Sequence, residues 1–139
     1  MSDNPLADEV WRAMAAVVFG HRDSWKRDVI EATGLPFSRV RVITRLARRA
    51  MTAKEIAEAA TMDAPATTVA LNDLEDRGLI VRQADPTNRR SKLVSLTEKG
   101  RELVASIDDV DDPAPDPFLA LTKAELRALE AILAKLAAN

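Results

Sequence analysis

Leu71 to Gly100 reads LNDLEDRGLIVRQADPTNRRSKLVSLTEKG. The pattern predicts a helix that stops at Gly78, a short apolar strand Leu79–Arg82, a turn, an alternating strand Lys92–Leu96, and a new helix capped by Thr97. Asp85-Pro86-Thr87-Asn88 carries turn chemistry throughout: proline presets φ, and the Asp and Asn side chains satisfy local backbone groups. Asn88-Arg89-Arg90 puts two arginines at the hairpin tip. A helix, strand, basic hairpin, strand and helix in that order point to nucleic-acid binding rather than catalysis.

Upstream, Thr52-Ala53-Lys54-Glu55 has capping-box spacing and opens a short helix, Ala53–Ala60. Asp63 caps the next helix, with Pro65 tolerated in its first turn, and that helix runs to about Arg77. Ala60-Thr61-Met62 is the tight turn between them. Two short helices followed by a basic hairpin make a winged helix-turn-helix, a mainly α (α+β) fold.

Residues 5–33 read as one helix, with Val10, Met14, Val17, Val18 and Trp25 at helical spacing and Gly20 as a kink or interruption. Gly34-Leu35-Pro36 ends it. Ser38 is read as the cap of a helix reaching Arg48 or Arg49. Asp108–Pro117, with five aspartates and three prolines in ten residues, predicts a linker. Thr122-Lys123-Ala124-Glu125 is a second capping box. It opens a terminal helix with Leu126, Leu129, Ile132, Leu133 and Leu136 on one stripe. The expected organisation is a single domain, 1–139. A DNA-facing lobe spans about 37–97, and dimerisation helices span about 5–33 and 98–139.

Composition agrees. The 139 residues fit one domain, and 47% hydrophobic residues suffice for a core. There is no cysteine and one histidine, His21. Disulfides, a thiolate zinc site and a cysteine nucleophile are thereby excluded, and a catalytic triad would have to use His21. No Gly-rich phosphate loop is present, so no catalytic constellation assembles and the expectation is a non-enzyme without metal or cofactor. No apolar run approaches the roughly 18 residues of a membrane helix. No signal-peptide pattern opens the chain. A cytoplasmic protein with no membrane partner is expected. The net charge of −2 hides an asymmetry: Arg39–Arg101 holds 13 Lys/Arg against 8 Asp/Glu, and the remainder 7 against 14. A basic middle between acidic ends suits one phosphate-facing lobe.

Taken together, the chain resembles the MarR family of bacterial transcription regulators along nearly its whole length. The most specific part is LEDRGLIVRQADPTNRRSKLVSLTEKG, Leu74–Gly100, which is similar to the family's Asp-Pro-x-Asp-Arg-Arg wing and Leu-Thr-x-x-Gly pattern. The ending LALTKAELRALEAILAKL is similar to the family's last helix. The resemblance implies a homodimer on a pseudo-palindromic operator in double-stranded DNA. It also implies repression, with release by a small aromatic effector or an oxidant. Three departures stand out. Asn88 occupies a wing position that is often Asp, Val69 follows Thr68 where many members carry Arg, and the helix after the wing is shortened by the Pro/Asp linker.

On the helix from Ala64 to Arg77, Leu71 and Leu74 define a buried stripe, leaving Pro65, Thr68, Val69, Asn72 and Asp76 on the opposite face. Asn72 is expected to pair with adenine, and Thr68 and Val69 to touch thymine methyls. Arg89 and Arg90 suit a minor groove narrowed by A·T tracts. The resemblance makes Arg90 the inserted residue, with Arg89 on phosphate or bracing the wing; both also read as solvated turn residues. Arg77, Arg82 and Lys92 are phosphate candidates, or simply solubilising. The N-terminus of the Thr52 helix is another phosphate candidate. Trp11, His21, Trp25 and Phe37 are candidates for lining a ligand pocket, and each alone also reads as core packing, with His21 partly exposed. The alternative to a DNA-binding regulator is a winged-helix protein-interaction module that does not read DNA, which salt-dependent duplex binding would discriminate.

Overall fold

A computed structural model describes residues 2–138. They form α1 (Pro5–Gly20), α2 (Asp23–Thr33), α3 (Phe37–Leu46), β1 (Met51–Thr52), α4 (Ala53–Ala60), α5 (Ala64–Asp76), β2 (Ile80–Asp85), β3 (Asn88–Leu96), α6 (Glu98–Asp108), α7 (Asp116–Leu119) and α8 (Lys123–Ala137). The chain divides into two units. One is Arg22–Val110, holding α2 to α6 and the sheet; the other is residues 2–21 and 111–138, holding α1, α7 and α8.

In the Arg22–Val110 unit, Leu35, Ile43, Ile56, Leu71, Leu74 and Val94 are almost wholly buried and bring α3, α4, α5 and the sheet onto one core. The expected stripe of Leu71 and Leu74 is therefore the buried face of α5. The sheet is antiparallel with order β1-β3-β2. The helix-turn-helix is α4 and α5. Its turn depends on Thr61, which caps α4 in the left-handed region at φ 54°. Asp63 starts α5 by accepting the Ala66 N–H at 2.7 Å.

Local rules placed most boundaries, and four readings need correction. The helix expected over 5–33 is two helices, broken at His21-Arg22 just after Gly20. His21 Nδ1 lies 2.7 Å from the Val17 carbonyl, and Asp23 stands at the positive N-terminal end of α2. Ser38 does not cap α3; Pro36, in extended geometry, precedes its first residue, and the helix ends at Leu46 instead of Arg48 or Arg49. The chain must leave helical geometry there to deliver Met51 and Thr52 to β3, opposite Val94 and Leu93. This two-residue strand was not expected. The Pro/Asp segment ends two residues into a helix: Asp116–Leu119 forms the single turn α7, with Pro117 in the first-turn position that helices tolerate.

The fourth correction concerns the wing. Only Pro86 and Thr87 form its turn; Asn88, Arg89 and Arg90 belong to the start of β3. Asp85 pairs with Asn88 while Ala84 pairs with Lys92, so Arg89, Arg90 and Ser91 fall in a register irregularity. Such bulges re-aim side chains out of the ladder.

Gly100 explains the glycine that closes the decisive stretch. It sits in α6 against β2's entry, and an added Cβ would collide with the Leu79 carbonyl. Thr97 caps the same helix. Its hydroxyl accepts the Gly100 N–H at 3.1 Å and donates to the Gly78 carbonyl at 2.6 Å, joining α6 to the end of α5.

In the other unit, α1 and α8 bury no residue within the protomer. Leu6, Trp11 and Phe19 on α1, and Ile132 and Leu136 on α8, are each more than half exposed. Thr122 and Glu125 form the expected capping box, at 3.1 and 2.9 Å.

Candidate nucleic-acid interface

Helix α5 turns Pro65, Thr68, Val69, Asn72 and Asp76 to solvent, while Thr67, Ala70, Leu71 and Leu74 are buried. The buried Thr67 hydroxyl is satisfied by the Asp63 carbonyl at 2.8 Å. Thr68 donates its hydroxyl to the Ala64 carbonyl at 3.1 Å, which leaves its methyl as an apolar contact beside Val69. An open groove of about 650 Å³ runs between α3 and the start of α5. Arg39, Arg41, Met62, Pro65 and Val69 are among its lining residues. Arg39 and Arg41 were not read as site residues, because nothing in the local pattern of α3 separates a groove-facing arginine from a solvated one.

Asn72 is not free in the way its position on the helix suggests. Arg82 in β2 donates Nη2–H to its Oδ1 at 2.6 Å. This hydrogen bond ties the wing's first strand to the exposed face of α5. Arg82, a phosphate candidate by sequence, has a side chain that is largely covered and turned toward α5.

Arg77 donates Nε–H to Asp73 at 3.0 Å and remains partly exposed. The Arg77 guanidinium, and then that of Arg39, hold the Asp73 carboxyl below its ordinary range. The fixed carboxylate therefore anchors both arginines on one side of α5.

Thr52 accepts the Glu55 N–H at 3.2 Å, and Glu55 accepts the Thr52 N–H at 3.1 Å. Two of the N–H groups expected to meet phosphate are thus committed inside the helix. The Thr52 N–H hydrogen bond, followed by that from Arg49, keeps Glu55 below the ordinary carboxylate range. A negative charge consequently stands at this helix N-terminus.

In the wing, Asp85 Oδ1 accepts the Thr87 N–H and hydroxyl at 2.9 and 2.7 Å. Asn88 Oδ1 accepts the Arg90 N–H at 3.0 Å. Asn88 therefore stiffens the wing by capping the backbone, a role that needs no carboxylate charge. Arg89, Arg90 and Lys92 are exposed.

The four candidate pocket residues divide between the units: Trp11 and His21 in one, Trp25 and Phe37 in the other. Trp11 and His21 are exposed. Trp25 and Phe37 meet edge to face, with ring centroids 5.9 Å apart, and both pack on the core. Arg22 lies over Trp25 and Lys26 over Phe37, so cations cover this aromatic pair.

Residues 33–91 match the MarR family. Solved structures share the fold over nearly the full length of both chains. Wild-type apo MarR from E. coli is 22% identical, with 97% of this chain and 98% of that one covered and a TM-score of 0.74. A cysteine-to-serine mutant of E. coli MarR is 21% identical, with 98% of each covered and a TM-score of 0.76. A mutant of MepR from S. aureus, bound to an oligodeoxyribonucleotide, is 20% identical, with 95% and 96% covered and a TM-score of 0.61.

Proposed function

We propose that this chain is a MarR-family transcription regulator acting as a homodimeric repressor on a pseudo-palindromic operator in the cytoplasm, a reading supported by the family match over residues 33–91 and the shared fold. The observation that carries the reading is the pairing, within one unit, of an exposed α5 face with a wing that holds Arg89 and Arg90 in a bulge. Helix α5 enters the major groove with Pro65, Thr68, Val69 and Asn72. The wing reaches the adjacent minor groove through Arg90, with Arg89, Arg77 and Lys92 on phosphates. The oligodeoxyribonucleotide in the MepR structure supports DNA as the ligand class.

The homodimer reading draws on the apolar residues of α1 and α8 that are more than half exposed, Leu6, Trp11, Phe19, Ile132 and Leu136. A dimer buries them and doubles the helix-plus-wing unit, so the half-sites lie about one helical turn apart. A small aromatic effector is the ligand class that the family resemblance implies, and the fluorescence of Trp25, packed edge to face on Phe37, would report a change in that pair on its binding. The test is sequencing of genomic fragments retained by the purified protein. A recurrent two-fold motif supports the proposal; retention without any shared motif counts against it.

A further inference from the structure

The Arg82–Asn72 contact bears on which base the protein reads. A guanidinium carries donors only, so the Asn72 atom that it meets at 2.6 Å is the carbonyl oxygen, and the orientation of the amide follows from chemistry. Arg82 is itself held. Its Nε is buried without a hydrogen-bond partner and lies 3.7 Å from Glu75 Oε2, one helical turn along α5 from Asn72.

We infer that Arg82 is a positioning residue that makes Asn72 a reader of guanine rather than of adenine. Adenine presents one acceptor, N7, and one donor, N6–H, in the major groove. A bidentate asparagine must meet them with its nitrogen and its oxygen together. Arg82 draws that oxygen toward β2 through a charge-assisted hydrogen bond. The oxygen keeps a second lone pair, but with Oδ1 turned toward β2 the edge of the amide left for the groove is Nδ2 with its two N–H donors. Guanine presents two acceptors, N7 and O6, and matches that pair. The neighbouring guanidinium charge works in the same direction, because it favours an acceptor-rich base edge over one carrying an amino group. This replaces the adenine contact that helix position alone suggests. It rests on the DNA-binding reading above.

The experiment is selection from a random duplex library, with sequencing, using the full-length protein and three variants: Asn72→Ala, Arg82→Met and Asn72→Asp. Circular dichroism verifies that each is folded. Wild type should enrich guanine at a position where Asn72→Ala loses preference. Arg82→Met frees the oxygen, and the same position should move toward adenine by roughly tenfold, the scale of one bidentate base contact. A purely structural role for Arg82 would weaken binding without changing the base. Asn72→Asp keeps the Arg82 contact and presents an acceptor, so the position should turn toward cytosine, whose N4–H is a donor. If Arg82→Met fails to fold, the guanine-to-cytosine change in Asn72→Asp decides the matter. Adenine at the wild-type position, an unchanged base in folded Arg82→Met, or salt-sensitive binding with no position dependent on Asn72 would each overturn the inference alone. Absence of any salt-sensitive DNA binding would overturn the functional reading, and this one with it.

Discussion

Arg39 on α3 donates its Nε–H to Asp73 on α5 at 3.1 Å, across 34 residues of chain. The same carboxylate accepts from Arg77, so one acidic group on α5 joins that helix to α3 and to Arg77, the residue at its C-terminal cap. Its folded-state pKa is depressed, first by Arg77 and then by Arg39. Stability from this group is therefore fully present above the unfolded carboxylate pKa, ~3.9, and is lost as pH falls through the lower folded value. Asp73→Asn should cost about 1 kcal/mol at pH 7, a modest value because the site is partly solvated. Urea denaturation should show the gap between variant and wild type narrowing below about pH 4. A gap that is constant from pH 7 to pH 3 would contradict the assignment.

Gly100 is needed for close approach. Its helix lies so near β2's entry that a methyl group would run into the Leu79 carbonyl and crowd Leu96. Gly100→Ala should destabilise the fold by about 2 kcal/mol or more, despite alanine's better helix propensity. A midpoint in urea equal to that of wild type would show that α6 can move away at no cost.

Thr61 is a β-branched residue in the left-handed region, where glycine is at home. Thr61→Gly should raise stability by about 1 kcal/mol, as relief of that strain exceeds the added entropy of the unfolded chain. Differential scanning calorimetry measures the gain. A lower melting temperature would mean that the Thr61 side chain contributes more than its backbone costs.

The apolar residues of α8 make a separate prediction. Ile132 and Leu136 are more than half exposed in the protomer, so charging them leaves its own packing little changed. Ile132→Asp with Leu136→Asp should convert a wild-type homodimer to a folded monomer in light scattering at micromolar concentration. A monomeric wild type would remove the dimer from the proposal.

What could be read from sequence was local. Thr52–Glu55, Asp63, Thr97 and Thr122–Glu125 act within three residues of themselves, and each caps the helix assigned to it. The apolar period of α5 likewise separated Leu71 and Leu74 from the exposed face. The features that escaped depend on distant partners. Met51 and Thr52 are a strand only because Val94 and Leu93 lie opposite. Asn72 looked free because Arg82 belongs to another element, and no helical spacing connects the two. The wing arginines were assigned to the turn because a register irregularity at Ala84/Asp85 leaves no mark in residue type. Gly20 marked the end of α1, but the break itself needed the His21 side chain, which returns to Val17.

The most direct test of the central claim, that this protein holds duplex DNA through α5 and the wing, is fluorescence anisotropy on a retained genomic fragment across a salt series. The wild-type protein should bind with an affinity that falls steeply and log-linearly with salt. Arg90→Ala should bind more weakly by ~1–3 kcal/mol at fixed salt, most strongly where A·T-rich flanks narrow the minor groove, with a shallower salt slope. Binding that is indifferent to salt, or an Arg90→Ala variant as tight as wild type with an unchanged slope, would contradict the account.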